Sequence, residues 1–343
     1  MKSLVYFKPS DSGVSFEGIR LRKNLKGALE LSSLPWVDSI YAAPEIVHLI
    51  SPDDDNLVKG FREEGAKIVV SAFYAENDPD ARFLEKNATG GFALRKSAQK
   101  LFSESDLILV PNVFCMDFVR AQGFRCPMET LLPGVNLSRF EEDDSDERDI
   151  FYRYFRFGDG VPYCLSIGDV DDGEVLKQIE QIAFIVPSLR FVFFGFGKRT
   201  RVSNQTVEKL NRGAPSNLTY SALVEDDVFR SAVANAKALI LFDGSHPDNL
   251  IALEAMAAKV QVFALGRIAF PDVLEDKANC YSYLEASELA KSLESYCRGR
   301  LKPTIIGGYK TAKANSLAKV GIKLKACYSS LFEKEKASCL MSN

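Results

Sequence analysis

The chain has 343 residues, 46% of them hydrophobic, and a net charge of -3. That length and apolar content suit two ordinary cores better than one. The slightly acidic balance speaks against nucleic acid as a partner, because phosphate binding wants a basic surface.

Seven cysteines are scattered along the chain with no CxxC pair (Cys115, Cys126, Cys164, Cys280, Cys297, Cys327 and Cys339), so neither a disulfide framework nor a zinc site is expected. Cys115 and Cys164 flank apolar runs and read as small buried hydrophobes. With no paired aspartates or histidines at ligand spacing, no metal or other cofactor is predicted.

Residues 4–7 read as a first strand that stops at Lys8-Pro9, too short for a secretory core. No window approaches a membrane-spanning length of about 18 apolar residues. The expectation is a cytoplasmic protein. Residues 18–32 read as a helix, and residues 46–50, 66–70 and 107–111 as strands that each end in a polar or proline-bearing loop. His48, between apolar neighbours, reads as half-buried and structural. Residues 92–102 read as a basic amphipathic helix, with Arg95, Lys96 and Lys100 beside Phe92, Leu94, Leu101 and Phe102. Such a helix is either an ordinary surface element or an interfacial one, attached peripherally to the inner face of the plasma membrane. These elements form one Rossmann-like unit, residues 1–142.

The acidic run at 141–149 reads as a solvated connector and the domain boundary. Strands recur at 162–168, 190–197, 217–220, 238–242 and 260–264, giving a second Rossmann-like unit, residues 150–301. The lysine-rich stretch at 302–343 reads as helical. A buried parallel strand at 238–242 is followed by a polar loop and then by Leu253-Glu254-Ala255-Met256-Ala257 opening a helix. The loop at the carboxyl end of such a strand is where open α/β sheets bind nucleotides.

The segment from Ser245 to Ala257 resembles the donor-sugar segment of the retaining glycosyltransferases of family four. Residues 131–140, with Pro133-Gly134-Val135-Asn136, resemble the exit from that family's first domain. Within the family the chain is most similar to the glycosyl-diacylglycerol synthases of Gram-positive bacteria and mollicutes. That similarity rests on Ser12-Gly13-Val14 leading into Gly18-Ile19-Arg20, on residues 67–83, and on Gly307-Gly308-Tyr309.

The resemblance implies a GT-B fold: α/β, two Rossmann-like domains with a cleft between them, and a terminal helix crossing back to the first domain. It implies transfer of a hexose, with retention, from a UDP-linked sugar to an acceptor such as a membrane glycolipid. The leaving phosphate would take the acceptor proton. Glu254 matches the family's ribose-binding glutamate, and a carboxylate in the first turn of a helix is placed to accept both ribose hydroxyls. Asn249 and Leu250 fall in the loop whose amides would meet the diphosphate.

Several positions depart from the family. His246 stands where a glutamate is usual, with Asp248 two residues on. After Gly168 the arginine position holds Asp169 and the lysine position falls on Glu174, with Lys177 nearby; Lys198 and Arg199 are candidate replacements. In the first domain Phe73, beside Tyr74, stands where the family has a histidine, and Glu76 and Asp78 follow; Gly13 belongs to the same acceptor side. His246, Asp248 and Glu76 are the catalytic candidates. The alternative is a catalytically degenerate relative that acts as a partner or regulator of an active paralogue.

Overall fold

The computed structural model describes residues 4–7, 16–52, 55–74, 76, 82–87, 91–141, 145–158, 160–195, 201–222, 224–242, 249–266 and 273–341. The chain divides into two compact units, Met1–Gly134 with Asn315–Asn343, and Val135–Ala314.

Unit 1 runs β1 (Val5–Tyr6), α1 (Phe16–Leu31), β2 (Trp36–Val37), β3 (Ile46–Leu49), α2 (Asp55–Glu63), β4 (Lys67–Ser71), β5 (Leu84–Lys86), β6 (Phe92–Leu94), α3 (Lys96–Ser103), β7 (Leu107–Val110), α4 (Val113–Ala121) and β8 (Met128–Thr130). Its parallel sheet has the order β2-β1-β3-β4-β7-β8, and β5 and β6 form a separate antiparallel hairpin. The central strands are apolar on both faces because helices cover both faces. Ile46, Val47, Val69, Val70, Ile108 and Leu109 are fully buried.

Unit 2 runs α5 (Ser138–Glu141), α6 (Ser145–Phe155), β9 (Tyr163–Gly168), α7 (Gly173–Ile185), β10 (Arg190–Gly195), α8 (Arg201–Gly213), β11 (Leu218–Ser221), α9 (Asp226–Asn235), β12 (Ala238–Phe242), α10 (Asn249–Ala257), β13 (Gln261–Leu265), β14 (Tyr281–Tyr283), α11 (Ala286–Cys297) and α12 (Ile305–Ala314). Its sheet is parallel throughout, in the order β11-β10-β9-β12-β13-β14. Counted within the unit, that is the doubly wound order 3-2-1-4-5-6.

The last helix, α13 (Leu317–Met341), belongs to unit 1. Leu317, Val320, Leu324, Tyr328 and Leu331 repeat at helical spacing and pack into the core that holds Leu21, Leu25 and Ala28 of α1. The two helices touch at Gly321, where an added Cβ would stand 2.2 Å from the Ala28 carbonyl oxygen. Only glycine fits that approach.

Two expectations change. The acidic run does not mark the division: α5 ends at Glu141 and α6 begins at Ser145, and the division between units falls at Gly134 and Val135. Helix α6 is held by its aromatic end, where Phe151 stacks on Tyr163 at 4.1 Å and also meets Phe155 and Phe157. Acidic residues at a helix start are favoured by the helix dipole, so the run suits a helix as well as a linker.

Nor do residues 92–102 form one interfacial helix. The first three are β6, and Leu94, Leu101 and Phe102 are buried in the unit 1 core, while Phe92 stays exposed. Among the described residues no helix is long and apolar enough to cross a membrane. Cys164 is buried and Cys115 half-buried.

Candidate functional site

The order of the unit 2 sheet fixes where a ligand site would form. Chain connections run in opposite directions on the two sides of the β9–β12 pair, so the carboxyl ends of these strands form the topological switch point, where doubly wound sheets bind ligands. Gly168 closes β9 and Glu254 lies on the helix that follows β12.

The turn after β9 is built tightly. Gly168 pairs with Gly195 of β10. A Cβ on Gly168 would meet the Phe193 ring at 2.8 Å, and one on Gly195 would meet Val170 at 2.5 Å. Gly195 thus lets Val170 pack down on the sheet end, and Gly168 makes room for the Phe193 ring.

Four amides of this turn, those of Asp171, Asp172, Glu174 and Val175, are already bonded. Asp169 Oδ1 accepts from the Asp171 N–H at 2.9 Å, and the Asp169 carbonyl accepts from the Asp172 N–H at 3.2 Å. Asp172 caps α7, its Oδ1 accepting from the N–H groups of Glu174 and Val175 at 3.2 Å each. A diphosphate at this helix start would compete with Asp172 for the donors and would face the exposed carboxylates of Asp169, Asp171 and Glu174. Water screens those charges, which weakens the repulsion without reversing its sign. Asp172 was not singled out from the sequence, although Asp followed by Gly173-Glu174 is a helix-start signal.

Helix α10 is buried on all sides: Ile251, Ala252, Leu253, Ala255, Met256 and Ala257 are each at most 1% exposed. Glu254 is the one acid among them, 3% exposed and engaged in an interaction with the rest of the chain. The helix begins at Asn249, so Glu254 lies beyond the first turn and the expected first-turn geometry does not hold. Leu250 is buried with the same helix.

Helix α12 supports α10 from behind. A Cβ on Gly308 would lie 3.1 Å from Met256, and one on Gly307 would stand 1.9 Å from the Ala278 carbonyl oxygen. The Gly307-Gly308 pair thus has a packing reason in the helix carrying Tyr309, whose ring lies under the Lys259 ammonium at 5.2 Å.

In unit 1 the candidate residues are tied into the scaffold. Phe73 adopts a left-handed φ of 69° and packs among Phe83, Phe102 and Phe118, with ring centroids 5.7, 6.1 and 6.2 Å away. The Tyr74 hydroxyl donates to the Leu131 carbonyl. Glu76 is 4% exposed and spends both carboxylate oxygens on backbone amides, those of Phe83 at 3.0 Å and Leu84 at 3.2 Å. Burial raises its pKa to about 7, against the pull of those amides and of Arg82 and Arg95.

His48 is fully buried rather than half-buried, its Nδ1 bonded to the Tyr328 hydroxyl at 2.6 Å and its Nε2 to Ser71 Oγ at 2.8 Å. Burial lowers its pKa to about 3. It is a neutral bridge between β3, β4 and α13.

Gly13, Asp78, Lys198, Arg199, His246 and Asp248 lie outside the described residues, as does the side chain of Asn249. The structure therefore puts Gly168 at the carboxyl end of β9 and Glu254 in the second turn of α10 in unit 2, and Phe73, Tyr74 and Glu76 just past β4 in unit 1. Among the described residues no group of three or more His, Cys, Asp or Glu side chains is gathered as a metal ion would need.

No family model matches the chain, and a search of curated proteins gives no match. Solved structures do match. The pneumococcal O-GlcNAc transferase GtfA, in complex with UDP and GlcNAc, superposes with a TM-score of 0.57 at 13% identity, over 92% of this chain and 60% of that one. Sucrose-phosphate synthase of Thermosynechococcus elongatus gives 0.64 at 12% identity, over 96% and 89%. HepE of Anabaena, in complex with UDP and glucose, gives 0.68 at 11% identity, over 95% and 99%. The chain spans less than two thirds of the pneumococcal transferase. At these identities the likeness is one of fold: two parallel α/β units, as in GT-B glycosyltransferases.

Proposed function

We propose that this protein is a glycosyltransferase that takes a UDP-linked hexose in unit 2 and transfers it, with retention, to an acceptor bound by unit 1. A membrane glycolipid is the acceptor favoured by the sequence resemblance. One observation carries the reading: the helix that follows the switch-point strand is buried, and its one acid is Glu254. Ribose hydroxyls are the partners suited to a carboxylate at that position of a doubly wound sheet.

The chemistry asks little of unit 1. In a substrate-assisted transfer the leaving diphosphate takes the acceptor proton, so no protein base is needed. The described polar groups past β4 are in keeping with this, since Tyr74 and Glu76 are bonded to backbone. The larger demand is stabilising charge on the departing diphosphate. Lys198 and Arg199, after β10, are the cations we assign to it, in place of the family's arginine and lysine. His246 or Asp248 would hold a sugar hydroxyl.

The acidic, self-capped turn after β9 favours a second reading, in which the fold is kept without turnover and the protein acts as partner or regulator of an active paralogue. Calorimetric titration with UDP, UDP-glucose and UDP-galactose separates the two. The transferase reading expects micromolar binding by at least one of them, weakened at least tenfold in Glu254→Gln with the far-UV spectrum unchanged. Absence of binding by all three favours the partner.

A further inference from the structure

Outward backbone groups on both edges of the unit 2 sheet are taken by the chain's own groups. On β11, the Phe191 amide of β10 donates to the Asn217 carbonyl at 2.8 Å, so in the parallel register Leu218 and Tyr220 turn their backbone groups away from the sheet. Leu218 N–H donates to the Pro215 carbonyl at 2.9 Å. Tyr220 N–H donates to Asn211 Oδ1 at 2.8 Å, and Asn211 Nδ2 donates back to the Tyr220 carbonyl at 2.8 Å. Just past the strand, the Ala222 carbonyl accepts from the Ser221 hydroxyl at 2.8 Å.

The opposite edge, β14, is covered in another way. Gly266 N–H donates to the Tyr283 carbonyl at 2.8 Å, which leaves Ser282 facing outward, and Ser282 N–H donates to Asp276 Oδ1 at 3.0 Å. The Lys277 amide donates to the Cys280 carbonyl at 2.9 Å. That cover is the loop leading into the strand. The cover on Tyr220 is one exposed side chain of α8.

Asn211 copies strand pairing. In an antiparallel ladder two facing residues exchange both N–H···O bonds, and the Asn211 carboxamide makes the same exchange with Tyr220. Sheet edges are commonly guarded by charge or proline. Leu218-Thr219-Tyr220-Ser221 has neither and carries the strand formers Thr219 and Tyr220, so its guard comes from outside the strand. An uncharged strand also sets no like charges against each other when it meets itself across a two-fold axis.

We propose that Asn211 is an edge guard: its carboxamide holds the place of a pairing residue on β11 and keeps the chain from joining a second copy through antiparallel β11–β11 contact. The inference concerns this edge alone and is independent of the transferase reading.

Sedimentation of the full chain at rising concentration, with hydrogen exchange of peptides covering residues 215–222, tests it. Asn211→Ala is expected to gain mass with concentration beyond the wild type. Its 215–222 peptides should lose about tenfold in protection when dilute and recover it as the protein associates. Peptides covering β14 should show neither change. Asn211→Asp keeps an acceptor for the Tyr220 amide and would set two carboxylates together at the two-fold axis, so it is expected to sediment as the wild type does. No gain of mass in Asn211→Ala overturns the proposal, as does a gain without recovered protection at 215–222. An equal gain in Asn211→Asp overturns it too, since the cause would then be a general loosening of unit 2. Asn211→Ser, whose hydroxyl is too short to bond both groups of Tyr220, carries the same expectations and the same refutations where the alanine variant folds poorly.

Discussion

In unit 1 the polar side chains near the ends of β3 and β4 bond to one another or to backbone: His48 links Ser71 to Tyr328, Tyr74 holds the Leu131 carbonyl, and Glu76 holds two amides. In unit 2 the turn after β9 leaves Asp169, Asp171 and Glu174 exposed, while the buried acid, Glu254, sits one strand over on α10. Unit 1 thus uses its polar groups as scaffold. Unit 2 keeps charge at the mouth of its sheet, where a ligand would meet it. A reaction run by this chain would draw its chemistry from the donor and from unit 2, with unit 1 shaping an acceptor surface.

Damage to each unit through a packing glycine gives the largest test of that contrast. Gly307→Ala and Gly321→Ala each drive a Cβ into a carbonyl oxygen, at 1.9 and 2.2 Å, and each is expected to cost about 3 kcal/mol by denaturant unfolding. Their effects on ligand binding should differ. Gly307→Ala shifts α12, which backs Glu254, and is expected to weaken UDP binding severalfold; Gly321→Ala is expected to leave it unchanged. Equal losses of binding in both would break the comparison.

The pH dependence of unit 1 is the next largest effect, and it involves two opposed groups. His48, held near 3 against an ordinary 6.5, contributes stability that is full above 6.5 and is lost as pH falls towards 3. Glu76, held near 7 against 4.5, contributes stability that is full below 4.5 and is lost as pH rises through 7. Each slope is about 1.4 kcal/mol per pH unit. Between 4.5 and 6.5 they cancel, so unfolding of the wild type should vary little with pH there. Glu76→Gln should uncover the His48 slope, losing stability as pH falls below 6.5. His48→Gln should uncover the opposite slope. A wild type with a steep dependence in this window would contradict the pairing.

The smallest effects lie in the core and cap of unit 2. Ser166 Oγ is buried in β9 without a hydrogen-bond partner among the described residues. Ser166→Ala is expected to gain about 1 kcal/mol, because the desolvated hydroxyl is removed. Asp172→Ala is expected to lose about 1 kcal/mol through the α7 cap. That variant should also bind UDP more tightly if Asp172 competes for the amides, whereas unchanged affinity would free the turn from any role in discrimination.

Much of this was legible in the sequence because the central strands are continuous apolar runs bounded by glycine, proline or acid, as at 107–111 and 238–242. Residues whose environment is set by distant chain were not legible. Glu76 is defined by the amides of Phe83 and Leu84 and by its burial, and sequence shows neither. Residues 92–102 carry a basic and apolar pattern that suits a membrane surface and a core equally, and β6 and α3 turned Leu94, Leu101 and Phe102 inward while leaving Phe92 exposed. Helix α6 was hidden because an acidic run signals both a linker and a helix start, and the aromatic contacts that decide between them come from Tyr163. Glu254 stood out as a site position, but α10 begins at Asn249, so the depth of the carboxylate in the helix was not.

The most direct test is turnover. The protein would be incubated with UDP-glucose or UDP-galactose and with vesicles of phosphatidylglycerol containing diacylglycerol or its monohexosyl form, and UDP release and the anomeric configuration of any new glycoside read by NMR. A transferase is expected to release UDP with formation of an α-linked product, and to lose both in Glu254→Gln. Donor that binds yet yields neither UDP nor glycoside with these acceptors would contradict it and make the protein a partner rather than an enzyme.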